Sequence, residues 1–269
     1  MTRFSSIIAP AMLAGALFAP SLGAQTVVTT PGTYGWTDVS TPDGTKPAGT
    51  TVASITTANP RSGNGSLELD MNGFAQPAFA TGDPLVQGSL SDLTSAGFDW
   101  NQVTGSNGNP TYRLFLGNIG VPTGGTTWGS LGWYGTDGTG WQSSGNLVDG
   151  GNFFLRIAGG QLTNDCSAKG QSFDDRRQTV ASWVTSCSGT SALYDLSNAT
   201  VTAVEVDQGR WPGFTGTNVS YADNVMVGFN DQSTTFNFEV TSTPEPSSIA
   251  LLGTGLFGLV PIVRRRRKR

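Results

Sequence analysis

The sequence contains no histidine and only two cysteines, Cys166 and Cys187. The first absence excludes Ser-His-Asp and Cys-His nucleophilic catalysis, and the two together exclude a zinc site of the common Cys/His type. Charge is sparse, with Asp, Glu, Lys and Arg making up 13% of 269 residues, and helical periodicity is almost absent. Low charge and 37 glycines would suit a disordered chain. Seven Trp, fourteen Phe and five Tyr argue against that, because they supply ample apolar surface for a core.

Both ends read as processing segments. Arg3 precedes an apolar stretch from Ile7 to Phe18, followed by Pro20 and the small-residue run Ser21, Leu22, Gly23, Ala24, the layout of a signal peptide cut by signal peptidase at Gly23 or Ala24. At the other end Pro244, Glu245 and Pro246 precede an apolar run from Ile249 to Val263 and a basic terminus of Arg264, Arg265, Arg266, Arg267, Lys268 and Arg269. Fifteen helical residues reach about 22 Å, short of the ~30 Å hydrocarbon core, although arginine stems snorkel to cover part of the deficit. The six cations stay on the cytoplasmic side and leave everything before Pro244 outside.

This three-part order, P-E-P, apolar helix and arginine cluster, resembles the PEP-CTERM sorting signal of Gram-negative bacteria. The resemblance implies that an exosortase cuts near Pro244 to Pro246 and discards the tail. It also implies transient anchoring in the inner membrane, then delivery to the cell surface or its exopolysaccharide matrix. The expected organisation is a signal peptide at 1–24, one domain at 25–243 and the sorting signal at 244–269.

Without its processing segments the chain keeps 8 basic and 18 acidic residues, a net charge near −10. Such a surface repels phosphate backbones and anionic headgroups, which excludes nucleic acid as a partner and suits neutral sugars or divalent cations. The predicted compartment is oxidising, so Cys166 and Cys187 are expected to form a disulfide worth about 3 kcal/mol for a loop of about 20 residues. The polar segment between them, S-A-K-G-Q-S-F-D-D-R-R-Q, has little packing of its own to hold it.

Period-two alternation dominates the domain. Phe236, Phe238 and Val240 alternate with Asn237, Glu239 and Thr241; Leu67, Leu69 and Met71 with Glu68 and Asp70; Tyr112, Leu114 and Leu116 with Arg113 and Phe115. Comparable runs cover Phe153–Ala158, Thr179–Val184, Val201–Asp207 and Val219–Phe229, each bounded by Gly, Asn, Asp or Pro. The predicted fold is an all-β, two-sheet sandwich of jelly-roll or concanavalin-like topology, flanked by the signal helix and a short C-terminal transmembrane helix. Asn59–Leu69 (N-P-R-S-G-N-G-S-L-E-L) and Tyr221–Phe229 (Y-A-D-N-V-M-V-G-F) resemble the early and penultimate strands of jelly-roll carbohydrate-binding, galactose-binding-like modules. That resemblance implies an aromatic ligand platform and a structural calcium ion.

Candidate functional residues follow. Trp128, Trp133, Tyr134 and Trp141 lie among glycines in one short segment and are candidates for stacking on sugar rings. Asp137, Asp223 and Asp231 are candidate calcium ligands, and no other cofactor is called for. Val204–Arg210 (V-E-V-D-Q-G-R) partly resembles the E-x-D-x-x-E strand of laminarinase-type glycoside hydrolases, with Glu205 and Asp207 as its carboxylate pair. Arg210 stands where the last glutamate of that pattern would be. The expected function is therefore a non-catalytic structural or carbohydrate-interacting component of the exopolysaccharide-rich surface. The alternative is a secreted glycoside hydrolase or lyase of concanavalin-like fold.

Overall fold

The computed structural model describes residues 24–40, 53–72, 76–104, 110–121, 124–136, 138–157, 161–162, 166, 177–188, 194–208 and 217–241. The expected signal segment before Ala24 and the sorting segment after Thr241 lie outside them. Among the described residues no helix is long and apolar enough to cross a membrane.

The alternating runs form strands because each can bury one face and solvate the other. In chain order they are β1 (Ala24–Thr29), β2 (Thr37–Asp38), β3 (Ala53–Thr56), β4 (Ser66–Asn72), β5 (Ala78–Thr81), β6 (Gly88–Ser89), β7 (Leu93–Thr104) and β8 (Pro110–Gly120). There follow β9 (Thr126–Tyr134), β10 (Gln142–Ser143), β11 (Phe154–Ile157), β12 (Gln161–Leu162), α1 (Val180–Ser186), β13 (Thr200–Gln208), β14 (Thr217–Phe229) and β15 (Gln232–Phe238).

Two sheets result. In the first, β14 pairs along one edge with β7, and its other edge is shared: Thr217–Ala222 pair with β4, and Val225–Phe229 pair with β15. β3 continues from β4, β10 flanks β7, and β1 lies parallel to β15, with Ala24 opposite Ser233 and Thr29 opposite Phe238. The second sheet runs β12-β11-β9-β8-β13-β5-β2, with β6 beside β13. The long central strands β8 and β13 pair through Arg113 opposite Glu205 and Leu114 opposite Val204.

The core fills the space between the sheets. Leu67, Leu69, Phe98, Val225, Val227, Phe236 and Phe238 of the first sheet meet Tyr112, Leu114, Leu131, Leu155, Val204 and Val206 of the second, all buried. Trp36 bridges them at one end, stacked 5.7 Å from Phe79 and edge-on to Phe236 and Phe238 at 5.4 and 5.1 Å. A polar tie also crosses the core, where the Tyr112 hydroxyl donates to the Met226 carbonyl at 2.9 Å.

The segment Thr179–Val184, expected to be a strand, is helical. Its Val180, Trp183, Val184 and Cys187 also fall on one face at helical spacing, and Thr179 caps the helix by accepting from the Ser182 N–H. Trp183 is buried and donates its indole N–H to the Phe153 carbonyl at 2.7 Å. Cys187 closes α1 and forms the expected disulfide with Cys166, their Cα atoms 5.0 Å apart.

The final strand needs a second correction. It ends at Phe238, and Glu239, expected to face solvent, is 1% exposed because residues 62–65 lie across it. Phe238→Ala should cost about 3 to 5 kcal/mol, since the ring is fully buried between Trp36 and Phe79. Glu239→Ala should cost about 1 to 3 kcal/mol by orphaning the Asn64 N–H, well above the effect of Asn237→Ala. Denaturant melts of the three variants check this ranking. Cys187→Ser should lower the unfolding free energy by about 2 to 4 kcal/mol, and non-reducing mass spectrometry should find the native pair two hydrogens light.

Candidate functional site

The outward face of the second sheet carries a buried charge cluster. Glu205 and Asp207 project from β13 on the face opposite Val204 and Val206, and Arg113 projects between them from β8. The Arg113 Nε lies 3.0 Å from Glu205 Oε1 and donates to Asp207 Oδ2 at 2.8 Å, while its Nη2 contacts the same Asp207 oxygen. Aromatic rings line the cluster. Phe154 lies 5.8 Å from the Arg113 guanidinium and 5.3 Å from that of Arg156, and Tyr134 stacks on Phe154 at 4.7 Å with Arg177 on its own ring.

Two carboxylates share one guanidinium here, with Asp207 fully buried and Glu205 8% exposed. Burial, reinforced by the neighbouring Asp207 charge, pushes the Glu205 carboxyl up to about 8 against the opposing pull of Arg113. At neutral pH Glu205 therefore holds its proton. Asp207 Oδ1 is buried and takes no bond from Arg113, and a side-chain hydrogen bond joins Glu205 to Asp207. Both carboxyls that resemble a glycosidase pair are thus engaged by Arg113 and by each other, and Arg210 lies outside the described residues.

A second constellation lies on the first sheet, where β14 changes partner. The strand bulges after Asp223, and Asn224 takes a left-handed φ of 50°. Asp223 Oδ1 accepts from the N–H groups of Asn224 at 2.7 Å and Phe238 at 2.9 Å, and Oδ2 accepts from the Ser62 N–H at 3.2 Å. Burial pushes the Asp223 carboxyl up to about 7 despite these three N–H donors. Beside it Asp99 pairs with Arg61 at 3.2 Å and accepts from the Asn224 side chain at 2.9 Å.

From here residues 62–65 reach over the end of β15. The Asn64 N–H donates to Glu239 at 2.5 Å, its side-chain amide donates to Thr241 Oγ1 at 3.0 Å, and its Oδ1 accepts from the Val240 N–H at 3.1 Å. The backbone passes so close that only glycine fits on either side. A Cβ on Gly63, at φ 75°, would overlap the Glu239 carboxylate, and one on Gly65 would sit 2.8 Å from the Val240 nitrogen.

The four candidate aromatics are divided by the fold, and Trp133 and Tyr134 point opposite ways, as alternation along a strand requires. Trp133 points inward onto Trp100 at 5.4 Å, whereas Tyr134 faces outward onto Phe154. Trp128 shares the outward face of β9 with Tyr134 but lies about 20 Å along the strand from it, with its ring 53% exposed. Trp141 sits on the first sheet's side, 5.9 Å from the Arg61 guanidinium. The calcium candidates are likewise apart: Asp223 is committed to backbone N–H groups, Asp231 lies in the exposed β14–β15 turn, and Asp137 is outside the described residues. Among the described residues no cluster of three His, Cys, Asp or Glu side chains is arranged to hold a metal.

Arg113, Asn64 and Asp99 were not among the expected functional residues. The register of Arg113 opposite Glu205 was the available signal for the first; for Asn64 it was glycine on both sides of a polar residue.

Folded-state carboxyls raised above their unfolded values favour folding at low pH. The contributions of Glu205, raised from 4.5, and Asp223, raised from 3.8, are complete below about pH 4 and fall away as pH rises through about 7 and 8. The urea midpoint should therefore be higher at about pH 5 than at about pH 9. Glu205→Gln should flatten the upper part of that slope, and Asp223→Asn the part nearer neutrality.

Comparison with known proteins places the chain beyond its domain. No curated protein matches it. The sorting residues Pro244, Glu245, Pro246, Arg264, Arg265, Arg266 and Arg267 lie outside the described residues, starting three positions after Thr241. Residues 242–268 match the family model of the PEP-CTERM protein-sorting motif, so the chain is an exported protein that carries this signal, anchored in the membrane until an exosortase processes it.

Proposed function

We propose that the exported domain works at the cell surface or in its exopolysaccharide matrix as a non-catalytic sandwich that interacts with carbohydrate. The observation carrying this reading is Arg113, which occupies both carboxyls of the strand that partly resembles a glycosidase motif and leaves neither open to a substrate. Export by the sorting route, an acidic surface suited to neutral polymers, and the exposed Trp128 ring on the outward face of β9 support it. The reading needs no cofactor.

A hydrolase is the second reading, and one observation favours it. A Glu205 carboxyl held protonated beside a second carboxyl, Asp207, is the pairing a general acid and a nucleophile use. The processed protein, purified from the cell surface and incubated with β-glucans and with its host's exopolysaccharide, separates the two. Retention on the polymer without release of reducing sugar is expected, with retention weakened by Trp128→Ala. Release of reducing sugar, abolished by Glu205→Gln, would replace the binding reading with the hydrolase. Neither retention nor release would leave a purely structural component.

A further inference from the structure

The last residue that the structure describes and the first residue of the sorting motif are adjacent. Thr241 is gripped by Asn64, and the motif begins at residue 242. Two residues, Ser242 and Thr243, separate the grip from Pro244, a reach of at most about 11 Å between the Thr241 and Pro244 Cα atoms.

The grip takes hold of backbone groups. The Glu239 N–H donates to the Thr29 carbonyl at 2.8 Å, the Val240 N–H to Asn64 Oδ1 at 3.1 Å, and the Thr241 carbonyl accepts from the Asn64 amide at 3.4 Å. Proteins that read an extended peptide do so through the same N–H and C=O groups, by adding it as a strand. A protease that cuts at the P-E-P region binds chain on both sides of the cut, and on the upstream side that chain runs back from Thr243 and Ser242 into Glu239–Thr241. The same backbone cannot be paired to Asn64 and to a protease at once.

We propose that Asn64 is a positioning residue for the sorting reaction, which governs how fast the tail is removed. The inference rests on the exosortase reading of the tail. The enzyme cuts only chains in which residues 239–241 have come off the 62–65 loop, so processing follows the open population. Gly63 and Gly65 serve the same device, because without them the loop could not lie on β15. A folded domain thus shields its own cut site, and the strength of a few hydrogen bonds sets how long the protein stays in the membrane.

Pulse-chase labelling of the full-length chain in its host, with tail loss followed by mass, tests this. Three chains are compared with wild type: Asn64→Ala, a six-residue Gly-Ser insertion between Thr241 and Ser242, and the two combined. Asn64→Ala removes the side-chain hydrogen bonds to Val240 and Thr241 and should speed tail removal by at least about fivefold, the gain in open population from losing even one of them. The insertion leaves the domain intact and gives the protease free chain, so it should match or exceed that gain, and the combination should be no faster than the insertion alone. Equal rates in wild type and the insertion chain overturn the proposal, and so does a faster Asn64→Ala beside an unchanged insertion, which would mark simple destabilisation. A wild-type chain that reaches the surface with Arg269 still attached overturns the sorting reading itself, and the inference with it.

Discussion

The Asp223 carboxyl ties the domain together at the seam where β14 changes partner. A strand paired along its whole length satisfies its own backbone, but β14 exchanges β15 for β4 halfway along one edge, and at that exchange N–H groups are left facing the gap. Asp223 collects three of them, from β14 itself, from the end of β15 and from the loop leading into β4. A neutral side chain with one acceptor oxygen could not serve all three. The requirement for an acceptor outweighs the cost of burying a carboxylate, a cost visible in the displaced titration of this group.

The two sheets handle buried charge in different ways. On the first, Asp223 and Glu239 are solvated by backbone N–H groups, so the charge is spread over the polypeptide and ties loops to strands. On the second, Arg113, Glu205 and Asp207 solvate one another across a strand pair, with aromatic rings closing the sides. The first arrangement organises the exit of the chain. The second sets two carboxyls against one guanidinium on an outward face, and the two proposed readings part there.

Legibility in the sequence followed the range of the interaction. Alternating residues such as Leu67, Leu69 and Met71 declare a strand because the strand's own geometry decides which face they occupy, and the two-sheet class follows from many such runs. Thr179–Val184 was ambiguous for a local reason: Val180, Ser182 and Val184 satisfy period two while Val180, Trp183 and Val184 satisfy the helical period, and the Thr179 cap decides between them. The disulfide and the sorting motif depend on compartment and composition, and both were readable. The burial of Glu239 and the role of Asn64 were not. Each depends on which distant segment crosses a given strand end, information that no local pattern carries. The two stretches singled out as jelly-roll-like, Asn59–Leu69 and Tyr221–Phe229, do meet, as β4 beside β14 with the Asp223 seam between them.

The parallel pairing of β1 with β15 gives the molecule a compass direction. Both strands run the same way, so the chain enters the fold at the Ala24–Ser233 end and leaves it at the Thr29–Phe238 end. The two ends lie about 17 Å apart along the strands. The turn at Asn230–Asp231 sits at the entry end, so the side of this strand pair that receives the chain also carries its tightest turn, and the side that releases it toward the sorting motif is the one the Asn64 loop covers.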